Sequence, residues 1–234
     1  MSDAATGPKT FGLVAGLGLG AGIFYYRSLV NAHLARGLTP RIVMAHADVR
    51  RVMSLAQARE RRQLAEYLVG LLRQLAGGGA EIATVPAFSP QVCAEELETL
   101  TPLPLIGLLD AITAETKRRE LRRVGILGAR VTMESELFGR LHDVAQNVPL
   151  SPADLEEAGA IYARIVENES ASQAQIATLR SLAHRMMERG ADAIVLAGTD
   201  LSFVFGPENT DFPHVDGART HIEVIMRTVT STAS

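Results

Sequence analysis

The feature that most constrains this chain is the alternation of short apolar runs with longer amphipathic segments along nearly all of its 234 residues. Short apolar runs are typical of buried strands, and apolar residues spaced three or four apart are typical of helices. We predict strands at residues 11–15, 41–45, 81–85, 103–108, 123–127 and 192–196. We predict helices at residues 23–36, 90–99, 110–121, 133–145, 151–165, 174–189 and 221–229, and one long or broken helix at residues 50–77. This alternation predicts an α/β fold with parallel sheets covered by helices on both faces.

One pattern occurs twice along the chain. Residues 77–85 and 188–196 each run from a helix end through a glycine, an alanine and an acid into an apolar strand, and a turn of small residues follows each strand. We therefore predict two similar α/β halves, residues 11–118 and 119–212, with the C-terminal helix, 217–230, packing back on the first. In open α/β sheets ligands bind outside the carboxyl ends of strands, so facing halves place both turns on one cleft.

Composition excludes several classes of protein. A hydrophobic content of 47% supports a sizeable core and excludes global disorder. The net charge of −3 offers no basic excess to neutralise phosphates, so we expect no nucleic-acid partner. The longest apolar stretch, residues 11–26, is glycine-rich and too short to span a membrane. Cys93 is the single cysteine, which excludes an intrachain disulfide and fits a reducing compartment. We expect a soluble, cytoplasmic protein.

The glycine-rich segment after the first strand has two interpretations. Gly16, Gly18 and Ala21 fit the G-x-G-x-x-G/A fingerprint of dinucleotide-binding proteins, and Asp48 follows the second strand, where such a site needs a ribose-binding acid. A glycine-rich turn is equally needed wherever any ligand approaches the backbone closely. A nucleotide-dependent enzyme therefore stays an alternative.

The two small-residue turns also have two interpretations. Ser89 precedes a proline, and Thr199 and Asp200 precede a predicted helical turn, so all three side chains are suited to capping helices. The same hydroxyls, together with free backbone N–H groups, are suited to holding a carboxylate. No group of His, Cys, Asp and Glu has convincing metal-ligand spacing.

Taken in order, these motifs resemble the aspartate/glutamate (Asp/Glu/hydantoin) racemase superfamily. The likeness runs from about Phe11 to Val229. The segments that carry it are residues 12–16 with 25–27, residues 123–133, residues 190–196, and Asp216 with His221. Residues 123–133 are similar to the family's "VGLLGT…TM" segment. Asp216 and His221 resemble its "D-T-T-x-x-H" segment, with Gly217 and Ala218 in place of the threonines.

The resemblance implies a fold of two pseudo-symmetric α/β half-domains with parallel sheets and an active cleft between them. It also implies a homodimer, no cofactor, and one catalytic cysteine on each half. The family's first turn reads roughly P-C-N-T and its second G-C-T-E. Here residues 86–89 read Pro-Ala-Phe-Ser and residues 197–200 read Ala-Gly-Thr-Asp, so Ala87 and Gly198 occupy the cysteine positions. The chain resembles a divergent member that lacks both cysteines. Cys93 falls inside the next predicted helix and is no substitute.

Several side chains remain that could transfer protons or hold a ligand. The catalytic candidates are His46, Asp200 and His221. The substrate-binding candidates are Gly16, Ala87, Phe88, Ser89, Thr132, Gly198 and Thr199. If the Phe88 ring faces the cleft, it favours an apolar substrate; otherwise it packs into the core. We expect a small carboxylic acid or amino-acid-like ligand, and cofactor-independent isomerase, decarboxylase or lyase chemistry. The alternative is an inactive homologue that binds or senses a small acid.

The missing thiols lead to a direct prediction. Racemisation by two bases needs an acid or base on each face of the substrate carbon, and neither alanine nor glycine carries a proton to exchange. We expect the purified chain not to exchange the α-proton of aspartate or glutamate in deuterated water, as followed by NMR. A two-cysteine racemase assayed in parallel is the control. Exchange at ordinary enzyme rates would contradict this prediction.

Overall fold

The computed structural model describes residues 7–206 and 208–231, which form two separate parallel sheets with helices around them. The first sheet has the strand order β2-β1-β3, with β1 at Phe11–Ala15, β2 at Ile42–His46 and β3 at Ile82–Thr84. Phe11 of the central strand is in register with both Ile42 and Ile82. All three strands therefore end at the same edge, which positions the loops that follow them.

The second sheet has the order β5-β4-β6-β7 and is also parallel throughout. Its strands are β4 at Arg123–Gly128, β5 at Gln146–Asn147, β6 at Ala193–Ala197 and β7 at His214–Asp216. Every residue of β6 is buried, as a continuous apolar run between two helical layers requires. β4 and β6 end side by side at Gly128 and Ala197.

Helices follow nearly every strand. The α-helices are α1 (Leu19–Leu34), α2 (Val49–Gln57), α3 (Arg61–Gly77), α4 (Ala94–Leu100), α5 (Leu108–Arg118), α6 (Arg130–Glu134), α7 (Pro152–Asn168), α8 (Gln173–Glu188), α9 (Leu201–Val204) and α10 (Gly217–Thr230). A short 3-10 helix at Ser89–Cys93 leads into α4. Among the described residues, no helix is both long enough and apolar enough to cross a bilayer.

Two predicted elements are wrong or incomplete. The strand predicted at 103–108 is reduced to a single bridge between Ala83 and Leu105, because the prolines at 102 and 104 cannot donate to a ladder. The helix predicted at 133–145 stops at Glu134, since residues 136–139 all have positive φ, which a right-handed helix does not allow. The segment at 50–77, predicted as one long or broken helix, is broken at Arg59, where φ is +56°.

The last helix joins the two sheets. α10 begins directly after β7 of the second sheet, yet its apolar face packs in one cluster with Phe11 and Leu13 of the first sheet and with Tyr25 and Leu29 of α1. The backbone N–H of Lys9 also donates to the carbonyl of Val229, at 2.9 Å. The exact division into 11–118 and 119–212 stays a prediction.

His221, predicted as a catalytic group, lies in the interior under α10. It is fully buried, with Nδ1 3.0 Å from the Tyr25 hydroxyl and Nε2 3.1 Å from the carbonyl of Ile106. A carbonyl only accepts, so Nε2 carries the proton and Nδ1 accepts from the Tyr25 hydroxyl. The Thr84 hydroxyl lies 3.2 Å from Nε2. His221 therefore connects α10 to α1 and to Thr84, the last residue of β3, and its catalytic role stays a prediction.

The burial of His221 makes the stability of the protein sensitive to acid. Desolvation lowers its pKa from 6.5 to about 4, so the unfolded chain binds a proton between those values while the folded chain does not. The stabilisation present at neutral pH is therefore lost as the pH falls from 6.5 towards 4. From pH 7 to pH 5 we expect this histidine to account for about 2 kcal/mol of the fall in the free energy of unfolding.

Urea unfolding at both pH values measures this effect. We expect the fall between pH 7 and pH 5 to be smaller in His221→Gln by about 2 kcal/mol. It should be unchanged in His142→Gln, a matched control at an exposed histidine. Equal falls in the two variants would contradict the assignment.

Candidate active site at the carboxyl edges of the sheets

The first sheet ends in a glycine loop beside a histidine. Gly16, directly after β1, has φ of +81°, and a Cβ there would lie 2.5 Å from the carbonyl oxygen of Ala47 and 2.9 Å from Nε2 of His46. Only glycine therefore allows the loop to lie against the His46 imidazole. His46 ends β2 with its side chain exposed, so it can take part in chemistry at this edge. Asp48, by contrast, caps α2 by accepting from Arg50 and Arg51.

The first small-residue turn follows β3. Ala87, at the first cysteine position, is buried, and its carbonyl accepts a hydrogen bond of 2.9 Å from Nε2 of Gln91. Ser89 is half-buried and does not cap the 3-10 helix that it begins, so its hydroxyl is not used in the way the capping interpretation required.

The ring of Phe88 packs into the core, so it does not favour an apolar substrate in the way we considered. It belongs to the cluster of buried side chains around the second sheet. A Cβ at Gly217 would lie 3.0 Å from Cζ of Phe88 and 3.1 Å from Cδ1 of Ile112. The same Cβ would lie 2.9 Å from the backbone carbonyl oxygen of Leu196, so the ring and this backbone oxygen together leave little room for a side chain at 217.

The second turn follows β6, and its cysteine position is occupied from the side. A Cβ at Gly198 would lie 2.2 Å from Cε2 and 2.8 Å from the hydroxyl oxygen of Tyr162, which comes from α7. Gly198 and Thr199 are both buried. The phenol of Tyr162 therefore lies where a side chain at position 198 would begin.

Asp200 is the buried ionisable group of this turn. It is 4% exposed, its Oδ2 accepts from the Tyr162 hydroxyl at 3.2 Å, and its Oδ1 has no hydrogen-bond partner among the described residues. Burial raises the pKa of the Asp200 carboxyl, and polar contacts with Tyr162, with its own backbone N–H and with the Thr199 hydroxyl offset this only in part. Asp200 does not cap α9. A buried carboxyl with an unpaired oxygen is costly to folding and is typical of functional sites.

The glycine loop of the first half lies directly against this turn. A Cβ at Gly18 would lie 3.7 Å from Oδ1 of Asp200, and one at Gly20 would lie 3.1 Å from the ring of Phe203. The structure thus brings Asp200 to the junction of the halves. The same contact argues against the dinucleotide interpretation, because a carboxylate lies where α1 begins and would repel a pyrophosphate.

Thr132 is a second buried polar group with a free atom. It lies on α6, just past the end of β4, it is fully buried, and its hydroxyl has no partner within the described residues. No group of three or more His, Cys, Asp and Glu side chains in the described part of the chain is placed to hold a metal ion.

A cavity of about 500 Å³ lies beside the first turn. It is lined by Val85 and Gln91, by residues 104–110, and by Arg140, whose guanidinium is 3.4 Å from carboxylate oxygens of Glu98 and Asp110. Among the residues that the structure describes, none of our predicted site residues lines this cavity. The two small-residue turns, at Ala87 and Gly198, are closely packed instead.

Tyr162 is the residue that the sequence did not reveal. Its position on the partly buried face of an amphipathic helix is typical of an ordinary core residue, and no motif surrounds it. Its partner, Asp200, is 38 residues away in the chain, so only the fold shows the pair.

The comparisons with known proteins decide the family. The model of the Asp/Glu/hydantoin racemase family matches residues 14–225 of the chain. The chain belongs to this family. The predicted resemblance and the predicted α/β fold are thereby confirmed.

Several solved structures share the fold of this chain at low sequence identity. A candidate Asp/Glu racemase from Yersinia pestis superposes with a TM-score of 0.85 at 21% identity, covering 95% of this chain and 100% of that one. An aspartate racemase homologue from Pyrococcus horikoshii gives 0.79 at 16%, over 95% and 100%. A double mutant of arylmalonate decarboxylase in its liganded form gives 0.56 at 14%, over 96% and 94%.

The contact between Phe88 and Gly217 can be tested by restoring the family's threonine. Gly217→Thr should lower the free energy of unfolding by about 1–3 kcal/mol, because its Cβ would lie 2.9 Å from the carbonyl oxygen of Leu196 and 3.0 Å from the Phe88 ring. In a Phe88→Ala background the added cost should be smaller by about 1 kcal/mol. Urea unfolding of all four proteins measures the coupling.

Gly70→Ala is the control for this experiment, since a Cβ at position 70 meets nothing within 4 Å. It should be neutral or stabilising. If the changes in the free energy of unfolding caused by Gly217→Thr and Phe88→Ala are additive, the position of the Phe88 ring does not depend on glycine at 217.

Proposed function

We propose that this protein binds a small carboxylic acid or amino-acid-like ligand between its halves and moves one proton on it without a cofactor. The reaction would be an isomerisation, a decarboxylation or a lyase reaction that does not use the two-cysteine mechanism. The observation that carries the proposal is Asp200: a buried carboxyl with one unpaired oxygen, beside the second cysteine position and against the loop of the other half.

A single acid/base is enough for such reactions. When a malonate-type acid loses CO₂, the electron pair of the broken C–C bond is delocalised into the remaining carboxylate, which gives an enediolate. One proton then adds to the carbon that carried the CO₂ group. Because burial raises the pKa of Asp200 above its usual value, its carboxyl holds a proton more readily than an exposed one and is suited to giving and regaining that proton. His46, exposed beside Gly16, is the second candidate for proton transfer.

Hydroxyls near the same edges are available to hold the ligand. Thr132 has a buried hydroxyl without a partner, and Ser89 and Thr199 lie in the two turns. Donors fixed around a developing enediolate are usually the largest single contribution in reactions of this kind. The fold similarity extends to arylmalonate decarboxylase as well as to racemases, which supports decarboxylation as one of the reactions considered.

We also propose that the protein is a cytoplasmic homodimer. Support comes from the single cysteine and from an apolar row on α1, where Leu19, Ile23, Tyr26 and Leu34 are all exposed. Sedimentation of the purified chain as a monomer at micromolar concentration would contradict the dimer.

A second function is favoured by one observation. The phenol of Tyr162 fills the space beside Gly198, and the Ala87 corner is also buried, so little open space is present at the predicted cleft. A protein that binds a small acid without turning it over, as a sensor or regulator, fits that packing.

Substitution of Asp200 distinguishes the two functions. The wild-type chain is incubated with aspartate, glutamate, maleate and aryl- or alkylmalonates in deuterated water, and NMR detects deuterium incorporation, isomerisation or loss of CO₂. For any substrate that turns over, Asp200→Asn should reduce kcat by about 100-fold or more, since the proton-transfer group is lost.

Asp211→Asn is the matched control, because Asp211 is an exposed carboxylate paired with Arg180. It should leave turnover unchanged. Saturable binding of a panel acid by calorimetry without any turnover would support the binding protein instead. Turnover that survives in Asp200→Asn would contradict the role given to Asp200.

A further inference from the structure

We propose that Tyr162 is a positioning residue: it replaces the second thiol in space and holds the Asp200 carboxyl so that one oxygen is left for the ligand. This inference rests on the proposed function. It concerns a side chain on α7, outside every motif that carries the family resemblance.

The first step of the argument is steric. A Cβ at position 198 would lie 2.2 Å from Cε2, 2.6 Å from Cζ and 2.8 Å from the hydroxyl oxygen of Tyr162. Real Cβ atoms do not approach other atoms so closely, and these neighbours belong to a rigid ring. Tyr162 can therefore occupy its present position only if residue 198 has no side chain. The placement of Tyr162 depends on glycine at 198.

The second step is the direction of the hydrogen bond. An ionised carboxylate only accepts, so the phenol donates to Oδ2 of Asp200 across 3.2 Å. Burial and the nearby Asp200 charge raise the pKa of Tyr162 well above its usual value, so the phenol stays protonated. Tyr162 is thus a fixed donor and not a base.

The third step concerns the other oxygen of Asp200. With Oδ2 engaged, Oδ1 has no hydrogen-bond partner among the described residues. A Cβ at Gly18 would lie 3.7 Å from Oδ1 and 3.9 Å from Oδ2, so the carboxyl as a whole lies beside the first-half loop. A ligand held between the halves would meet this oxygen. The groups that face Asp200 are Tyr162, Thr199 and, from the end of α7, the carboxylate of Glu169; Gly18 brings no charge.

Titration of Asp200 tests the hydrogen bond. Carboxyl ¹³C NMR of the full chain follows Asp200, assigned by its disappearance in Asp200→Asn, in the wild type and in Tyr162→Phe. Because the phenol stabilises the ionised carboxylate, its loss should raise the pKa of Asp200 by about one unit, a tenfold change in proton affinity. The ring is retained, so a purely packing role predicts no shift. An unchanged or lowered pKa overturns the inference.

Restoring a cysteine tests the steric step. Gly198→Cys should lower the midpoint of urea unfolding in the wild-type background and have a clearly smaller effect in a Tyr162→Ala background. Equal effects in both backgrounds overturn the inference. If Tyr162→Phe does not fold, this pair decides alone.

Neither measurement uses turnover, so the two proposals can fail separately. Asp200→Asn could abolish turnover while the carboxyl titrates identically in Tyr162→Phe, in which case only the role of Tyr162 fails. A shifted titration in a chain that turns over nothing would leave the Tyr162–Asp200 pair intact and remove the proposed chemistry.

Discussion

The contact between the glycine loop after β1 and the turn after β6 is the constraint on which the candidate site depends. Gly18 and Gly20 carry no side chains, so the loop can lie against Asp200 and the ring of Phe203. At Gly18 the φ of +150° itself favours glycine, and at Gly20 a Cβ would lie only 3.1 Å from the Phe203 ring. α10 holds the arrangement from the other side, because it starts at the second sheet and packs on the first. His221 belongs to this framework through its bonds to Tyr25 and Ile106.

Two glycines of this chain lie directly against aromatic rings. A Cβ at Gly217 would lie 3.0 Å from the Phe88 ring, and one at Gly198 would lie 2.2 Å from the Tyr162 ring. The first contact lies in the core. The second lies beside Asp200, and the pKa of the Tyr162 phenol is strongly raised by burial. The chain has a single cysteine, Cys93, and position 198 has no room for a side chain beside Tyr162.

The sequence predicted the fold best where periodicity is strong and local. β1, β4 and β6 are continuous apolar runs, and α7 and α8 start at serines that cap them, so their positions were predictable within a few residues. β5 and β7, with two and three residues, are too short to show alternation. The predicted helix at 133–145 failed because positive φ at non-glycine residues leaves no signature in composition. These misses come from tertiary contacts that override local preference.

The sequence predicted site residues only where their position follows from a predicted strand next to them in the chain. Asp200 could be located from the strand before it, but the direction of the Phe88 ring and the burial of His221 depend on which face packs inward. The Tyr162–Asp200 pair depends on a contact between α7 and the end of β6, which no spacing encodes.

The length of the acidic side chain at position 200 matters for the Tyr162–Asp200 hydrogen bond. The resemblance implies a glutamate at the end of the second turn, and the aspartate at position 200 places its carboxyl one methylene nearer the backbone. The shorter side chain keeps Oδ2 within hydrogen-bond reach of a phenol that lies over Gly198. A buried carboxyl with an unpaired oxygen lowers stability by about 1–3 kcal/mol or more, and an apolar residue of similar size would avoid that loss. The combination of glycine at 198, aspartate at 200 and tyrosine at 162 is therefore better explained by a ligand that uses the free oxygen than by packing alone.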